Sequence, residues 1–218
     1  MMQVPDLIGT RHDGNCLDLS AMSQSLPCLP PRLQSLDKNN NALKEDILRC
    51  KIEKRSSRNE DSNLIFECVT QGNLAAFNLW VKTAEEYPEK KFIVISITDS
   101  DVAKKLPNVE HLILDVPDDL TAWTCQGGIK NNLNAIFQLF DKSRVQNIPL
   151  LIHCSAGISR STTVLAAYLM WSCNLRYEQV LGFIKTKRLW ASPSQDLKTM
   201  LRTDFHDLLV QEGILEKY

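Results

Sequence analysis

A cysteine and an arginine six positions apart stand in the segment His153-Cys154-Ser155-Ala156-Gly157-Ile158-Ser159-Arg160-Ser161. The residues between them are uncharged and mostly small, so the backbone can curl and point successive N–H groups at one centre. Arg160 adds a planar guanidinium group that grips two oxygens of a tetrahedral anion such as phosphate. The residue types and their spacing therefore predict an anion-binding loop with a thiol at its mouth.

An apolar run before the loop and an apolar stripe after it predict the elements that position it. Residues 148–152 predict a short buried strand, and residues 159–174 predict a helix. The stripe of that helix consists of Val164, Leu165, Tyr168, Leu169 and Cys173. The loop would then precede a helix N-terminus, where unpaired N–H groups and about half a positive charge favour an anion.

Cys154 would lie beside that positive end of the helix. A thiol in such a place has its pKa lowered from about 8.5 to roughly 3.5–7.5, so we expect the Cys154 sulfur to be ionised and nucleophilic at neutral pH. The alternative is that Cys154 is a buried structural cysteine and Arg160 a surface charge. The joint occurrence of strand, cysteine, small residues, arginine and helix favours the nucleophile.

The segment resembles the phosphate-binding signature of the cysteine-dependent protein tyrosine phosphatases, and Ser159 and Ser161 resemble its dual-specificity branch. Similarity to the C-terminal half of dual-specificity phosphatase domains continues in Ala167-Tyr168-Leu169-Met170, Lys187-Arg188 and Ser192-Pro193. The resemblance covers residues 64–209, most strongly after Leu112. It implies an α/β fold with a mostly parallel central sheet flanked by helices.

The resemblance implies hydrolysis of phosphate monoesters in two steps, without a cofactor or a metal. Cys154 would attack phosphorus to give a cysteinyl-phosphate, and water would then release inorganic phosphate. Backbone amides and a guanidinium group would hold the phosphate oxygens through both steps. This phosphate-binding set is Ser155, Ala156, Gly157, Ile158, Ser159 and Arg160.

Two residues that flank this set also have implied roles. By the resemblance, Ser161 would hydrogen-bond the sulfur and ease its departure in the second step, and His153 would orient the loop and tune the thiol. The alternatives are an ordinary serine in the first turn of a helix and a structural histidine at the end of a strand.

Hydrolysis also needs a proton donor for the leaving oxygen. The acidic run after the predicted strand 109–114 supplies three candidates, and the resemblance favours an acid that follows a proline, as Asp118 follows Pro117. Asp119 is the alternative general acid, and Asp115 is more typical of a residue that closes the strand. A further alternative is that all three are solvated turn residues.

The residues between Cys154 and Arg160 carry no charge, whereas inositol-lipid phosphatases of this superfamily tend to carry lysines there. The resemblance therefore implies a phosphoprotein substrate. No segment resembles the loop that deepens the pocket of the tyrosine-only enzymes, so we expect phosphoserine and phosphothreonine to be accepted as well as phosphotyrosine. The alternatives are a phosphoinositide phosphatase, an RNA 5′-phosphatase, and a catalytically silent relative that binds phosphoproteins.

From residue 63 onward the pattern alternates between strands and helices, which is typical of a parallel sheet with crossover helices. Strands are predicted over residues 64–69, 92–98 and 109–114. Helices are predicted over residues 74–86, 129–143, 177–187 and 194–211.

Composition restricts the class of protein. A net charge of −1 over 218 residues gives no reason to expect nucleic-acid binding. No apolar run approaches the roughly 20 residues that span a bilayer, and the first residues lack the basic-then-apolar form of a signal peptide. Seven cysteines without regular spacing favour reduced thiols. We therefore expect a cytoplasmic protein, with the nucleus as the alternative.

The first 60 residues differ from the rest. They contain scattered prolines, an asparagine run and a charged segment, with periodicity only for a short helix over residues 43–50. We expect an N-terminal extension over residues 1–60, either partly disordered or packed on the domain, and a catalytic domain over residues 61–218.

Overall fold

The computed structural model describes residues 29–49, 61–98, 102 and 105–216. One five-stranded sheet has the order β1-β2-β5-β3-β4. Its strands are β1 (Ser62–Phe66), β2 (Val69–Gly72), β3 (Phe92–Ile97), β4 (Val109–Leu114) and β5 (Leu150–His153). β1 pairs antiparallel with β2, and the other pairs are parallel. The predicted mostly parallel sheet is confirmed.

The described helices cover both faces of this sheet. They are α1 (Asp37–Arg49), α2 (Leu74–Glu86), α3 (Thr121–Thr124), α4 (Ile129–Gln146), α5 (Arg160–Cys173), α6 (Tyr177–Lys187), α7 (Gln195–Arg202) and α8 (Asp204–Gln211). On one face Phe77 of α2 packs with Val94 and Leu151, and on the other the main core joins Ile95 and Ile152 to the remaining helices. Covering on both faces explains why β3 is buried along its whole length.

The strand predicted over residues 64–69 is wrong, because this segment forms a hairpin. β1 ends at Phe66 and β2 begins at Val69. Glu67 has φ 45°, in the left-handed region where a chain reverses direction. Arg144 of α4 binds the Glu67 carboxylate through two hydrogen bonds of 2.8 and 2.9 Å, so a tertiary ion pair holds a turn that carries no glycine signal.

The single helix predicted over residues 194–211 is also wrong, since it is broken at Thr203 into α7 and α8. The break turns Asp204 toward α3 and α4, where its carboxylate accepts hydrogen bonds from Trp123 (2.7 Å) and Lys130 (2.9 Å). Trp123 is fully buried and packs edge-on against Phe205. The other predicted elements lie within a few residues of the observed ones.

The helix predicted over residues 43–50 is longer than expected, since α1 begins at Asp37. Leu43 and Ile47 belong to the main core, and the same buried face includes Asn40. Asn40 accepts a hydrogen bond of 2.6 Å from Arg144, which also donates to Tyr168. Because Arg144 satisfies the side chain of Asn40, the buried face of α1 extends into the asparagine run. The charged segment 51–60 and the predicted boundary near residue 60 lie outside the described residues.

Across the part of the chain that the structure describes, helices long and apolar enough to cross a membrane are absent.

Candidate active site

The loop of residues 154–159 connects β5 to α5 at the C-terminal end of the parallel strands. Gly157, at its centre, has φ 65°. A Cβ atom there would lie 2.4 Å from the carbonyl oxygen of Gly72 at the end of β2. Both the backbone conformation and the close approach of the two chains therefore require glycine at this position.

The carbonyl groups of this loop bind partners that lie outside it. Leu74 N–H donates to the oxygen of Ser155 (3.2 Å), Arg188 to that of Gly157 (2.9 Å) and Ser192 N–H to that of Ile158 (2.9 Å). In a trans peptide group the N–H points away from the C=O. The N–H groups of the following residues, Ala156, Ile158 and Ser159, are therefore turned toward the inside of the loop, as an anion-binding nest requires.

Cys154 lies at the base of the loop with 1% of its surface exposed. Its sulfur lies 3.4 Å from the hydroxyl oxygen of Ser161 in the first turn of α5. Although it is buried, Cys154 belongs to neither apolar cluster formed by the described residues. Its polar contact is with a hydroxyl group at the start of α5.

Arg160 is buried at the start of α5, and its guanidinium group lies over the first part of the loop. One terminal nitrogen donates to Ser155 Oγ (3.0 Å), and the other donates to the carbonyl oxygen of Val116 (2.7 Å). The alternative that Arg160 is a surface charge is wrong. Ser155 Oγ also lies 2.9 Å from Thr98 Oγ1, at the end of β3. The guanidinium group thus contacts two segments at the sheet edge directly, and a third through Ser155.

The two neighbouring acids have different partners. Asp118 is exposed and accepts a hydrogen bond of 2.6 Å from the Ser159 hydroxyl, which brings its carboxylate to the rim of the loop. Asp119 turns away and accepts hydrogen bonds from the side chain and the N–H (2.7 Å) of Thr121. The hydrogen bond from the Thr121 side chain lowers the pKa of Asp119 below its ordinary value. Because its partner Thr121 lies in its own turn, whereas Asp118 contacts the phosphate-binding loop, Asp119 is the weaker candidate for a proton donor.

Ser159 connects the loop to a third element. Its hydroxyl oxygen accepts a hydrogen bond of 2.9 Å from the backbone N–H of Ser194, immediately before α7. Because this contact uses a backbone N–H, it does not depend on the side chain of Ser194.

His153 is fully buried at the end of β5, and its ring stacks on Phe77. Its Nε2 atom lies 2.6 Å from Ser96 Oγ, which in turn lies 2.7 Å from Nε2 of His111. Burial lowers the pKa of His153 to about 4, and the charge of His111 acts in the same direction. The ring is therefore neutral at physiological pH.

The sequence did not identify two residues that hold the loop. Arg188, at the end of α6, donates to Gly157 and, at 2.8 Å, to Asn63 of β1. Gln71 of β2 places its side-chain nitrogen against Gly157, Ser161 and Thr162. A polar residue within a short buried strand was the available signal for Gln71. Arg188 has a sequence signal only as part of the family resemblance.

All the predicted loop residues thus lie together, with His153 beneath them and Asp118 at the rim. Ala156 and Ile158 are exposed, whereas Gly157 and Ser159 are buried. Asp115 is exposed beyond the end of β4. The arrangement could bind a tetrahedral dianion between the loop amides and Arg160, with a sulfur below the anion and a carboxylate above it.

A family model described as the catalytic domain of dual specificity phosphatases matches residues 75–205, a range that includes Asp118, Cys154 and Arg160. The tyrosine-protein phosphatase yvh1 of Schizosaccharomyces pombe is 36% identical over 100 residues, or 46% of this chain and 29% of yvh1. Dual specificity protein phosphatase 15 of Mus musculus is 32% identical over 108 residues, or 50% of this chain and 43% of that protein. The matched region therefore spans less than half of either relative.

A solved structure supports the same grouping. The crystal structure of the PTP-2 phosphatase of Cydia pomonella superposes with a TM-score of 0.54 at 28% identity, over 65% of this chain and 88% of that chain. The similarity thus extends to the arrangement of the sheet and its helices.

Proposed function

Because the chain belongs to the family of dual specificity phosphatase catalytic domains, we propose that it hydrolyses phosphotyrosine and phosphoserine or phosphothreonine in proteins. The observation that supports this most directly is the joint placement of Cys154, Arg160 and Asp118 around one loop. The reaction passes through a cysteinyl-phosphate intermediate and uses no cofactor and no metal.

In the first step the Cys154 sulfur attacks phosphorus and the bond from phosphorus to the leaving oxygen breaks. Asp118 gives its proton to that oxygen, which leaves as a neutral hydroxyl group. The loop amides and Arg160 hold the equatorial oxygens, where the charge of the transition state is concentrated. The outward carbonyl groups of Ser155, Gly157 and Ile158 support this role, since they fix the N–H groups before substrate arrives.

In the second step water attacks phosphorus, Asp118 takes a proton from the water, and the sulfur leaves with the electron pair of the S–P bond. Ser161 stabilises the negative sulfur by donating a hydrogen bond to it. The distance of 3.4 Å between the two atoms supports this role. The products are inorganic phosphate and the free thiolate.

The surroundings of the loop support a protein substrate. Ile158, Leu189 and Trp190 are 38%, 41% and 58% exposed. The hydrogen bond from Ser192 N–H to Ile158 brings the segment that follows α6 to the rim of the loop. We name these three side chains the apolar rim. Exposed apolar groups beside a site favour contact with peptide side chains over contact with a multiply charged lipid headgroup.

A cytoplasmic or nuclear location completes the proposal. Cys68, Cys125, Cys154 and Cys173 are free thiols, a state that reducing compartments maintain. Imaging of a tagged form of the protein in cells would test this location, and a secreted protein would contradict it.

The decisive experiment for the activity compares the wild type with Cys154→Ser on para-nitrophenyl phosphate and on phosphotyrosine and phosphothreonine peptides. We expect hydrolysis that is abolished in Cys154→Ser. Binding of phosphopeptides without turnover would instead identify a catalytically silent relative. Turnover confined to phosphoinositides or to RNA 5′-phosphates would support the proposed reaction but contradict the proposed protein substrate.

A further inference from the structure

Gln71 is a fully buried polar residue on β2, next to β5 in the sheet. Its side-chain nitrogen lies 2.7 Å from Thr162 Oγ1, 3.2 Å from Ser161 Oγ and 3.3 Å from the carbonyl oxygen of Gly157. Burying an amide nitrogen costs free energy unless it forms such hydrogen bonds, whereas the amide oxygen of Gln71 has no hydrogen-bond partner among the described residues. All three partners belong to the loop or to the first turn of α5, and one of them, Ser161 Oγ, lies 3.4 Å from the Cys154 sulfur. Since the amide nitrogen carries two hydrogens, one of these hydrogens is shared between two of the acceptors.

The partners of Gln71 determine which way its amide faces. The oxygen of Gly157 can only accept, and the Thr162 hydroxyl already donates to the oxygen of Ile158 at 2.6 Å. Both groups therefore present only an acceptor to Gln71, and the amide nitrogen is the atom that must face them. The reverse orientation would place two carbonyl oxygens against each other.

This orientation directs the single hydrogen of the Ser161 hydroxyl. The amide nitrogen of Gln71 has no lone pair to offer, so Ser161 Oγ can only accept from it. The carbonyl of Gly157, four residues earlier, is the usual acceptor for a helical serine, but it already accepts from Gln71 and Arg188. The Cys154 sulfur, 3.4 Å away, is the acceptor that remains along this face.

We propose that Gln71 is a positioning residue that keeps the Ser161 hydroxyl hydrogen directed at the Cys154 sulfur. This inference rests on the proposed function and deepens it. The hydrogen bond stabilises the thiolate before attack. It does so again in the second step, when the S–P bond breaks and the sulfur recovers its negative charge. Loss of Gln71 should therefore slow breakdown of the cysteinyl-phosphate more than its formation.

The test uses Gln71→Leu, which removes the amide at similar volume, beside Ser161→Ala and the double variant. Rapid mixing with para-nitrophenyl phosphate separates the burst, which reports formation of the intermediate, from the slow phase, which reports its hydrolysis. We expect Gln71→Leu to slow the slow phase roughly 3- to 10-fold, the range for loss of one hydrogen bond. We also expect the double variant to be no slower than Ser161→Ala.

A second measurement separates positioning from a structural role. The rate at which iodoacetate alkylates Cys154 is followed against pH in each variant. We expect Gln71→Leu to move the midpoint of this profile upward in the same direction as Ser161→Ala. Gln138→Leu is the matched control, since Gln138 is an exposed glutamine of α4, and its profile should equal that of the wild type.

Two results would overturn the inference while leaving the proposed function intact. One is a slow phase and an alkylation profile that are unchanged in Gln71→Leu. The other is a double variant whose slow phase is reduced by the product of the factors measured in the two single variants. If Gln71→Leu does not fold, Gln71→Met is measured in the same way, since methionine adapts to irregular space. A wild type without Cys154-dependent turnover would instead reject the proposed function itself.

Discussion

Ser159 donates a hydrogen bond of 2.6 Å to Asp118, and so attaches the candidate proton donor to the loop that carries Cys154 and Arg160. The same hydroxyl oxygen accepts from Ser194 N–H. One serine therefore joins the acid loop, the phosphate-binding loop and the start of α7. The next residue in the acid loop, Asp119, takes no part in this junction.

Replacement of the two acids should distinguish their roles. We expect Asp118→Asn to lower kcat about 10²–10⁴-fold on substrates with poor leaving groups, because such an oxygen needs a proton as it departs. The loss should be smaller for para-nitrophenyl phosphate, whose leaving group is already a weak base. Steady-state rates over a series of aryl phosphates measure this difference.

Asp119→Asn is the matched control for that series. Its carboxylate receives hydrogen bonds from Thr121, so we expect a small loss of stability near α3 and nearly normal turnover. A large loss of kcat in Asp119→Asn, together with normal turnover in Asp118→Asn, would show that Asp119 and not Asp118 is the proton donor.

Substitution of three glycines by alanine separates the effect of backbone strain from the effect of steric crowding. Gly157 combines φ 65° with a clash against Gly72, Gly213 has φ 69° with open space around it, and Gly127 has open space alone. We expect Gly127→Ala to be neutral and Gly213→Ala to cost about 1–2 kcal/mol of unfolding free energy. Gly157→Ala should cost more than Gly213→Ala and should also abolish turnover. Urea unfolding and a para-nitrophenyl phosphate assay measure both effects.

The sequence predicted the loop and the parallel strands because their signals are local. Cys154 and Arg160 lie on one continuous segment, and strands such as β3 are apolar except for a single residue, Ser96. The hairpin at Glu67 and the break at Thr203 were missed because each depends on a distant partner, Arg144 in the first case and Trp123 with Lys130 in the second. Periodicity within one segment carries no information about such partners.

The same limit applies to the site. Ser159, Arg160 and Asp118 could be named from the sequence, but the contact between Ser159 and Asp118 joins residues 41 positions apart. Gln71 lies 90 positions from Ser161. Neither contact leaves a pattern in one sequence, because the parallel crossovers bring these segments together only in the folded sheet.

The contribution of α1 to the folded unit can be measured directly. Ile47 is 3% exposed and belongs to the main core, whereas the adjacent Leu48 is 48% exposed. We expect Ile47→Ala to lower the free energy of unfolding by about 2–5 kcal/mol. Leu48→Ala should change it by no more than about 0.5 kcal/mol. Equal effects in urea unfolding would show that α1 is an appendage rather than part of the domain.

Trp190 of the apolar rim should act on large substrates only. We expect Trp190→Ala to raise KM for phosphopeptides several-fold. Full burial of a large apolar side chain contributes about 1.5–3 kcal/mol, and the Trp190 ring would stay partly exposed to solvent in the complex, so its contribution is smaller. KM for para-nitrophenyl phosphate should not change. Leu79→Ala on α2, also exposed, is the control. Equal increases of KM for both substrates would show that the substitution disturbs the phosphate-binding loop rather than recognition of the peptide.

The neutral, buried ring of His153 makes stability depend on pH. Burial lowers its pKa to about 4 in the folded chain, whereas an exposed histidine titrates near 6.5. Between these values the unfolded chain binds a proton that the folded chain does not, so stability rises with pH across this window and is lost on acidification. The difference corresponds to roughly 3 kcal/mol.

His153→Gln isolates this contribution, because glutamine is uncharged at every pH. Urea unfolding of the wild type and the variant is compared at pH 7.5, where both side chains are neutral, and at steps down to pH 4. We expect the difference in free energy of unfolding between the wild type and the variant to fall by roughly 3 kcal/mol as the pH falls. Only in the wild type does protonation of residue 153 favour the unfolded chain. An advantage that stays constant over this range would mean that His153 is protonated as readily in the folded chain as in the unfolded one, and the buried contact with Ser96 would then have to accommodate a charged ring.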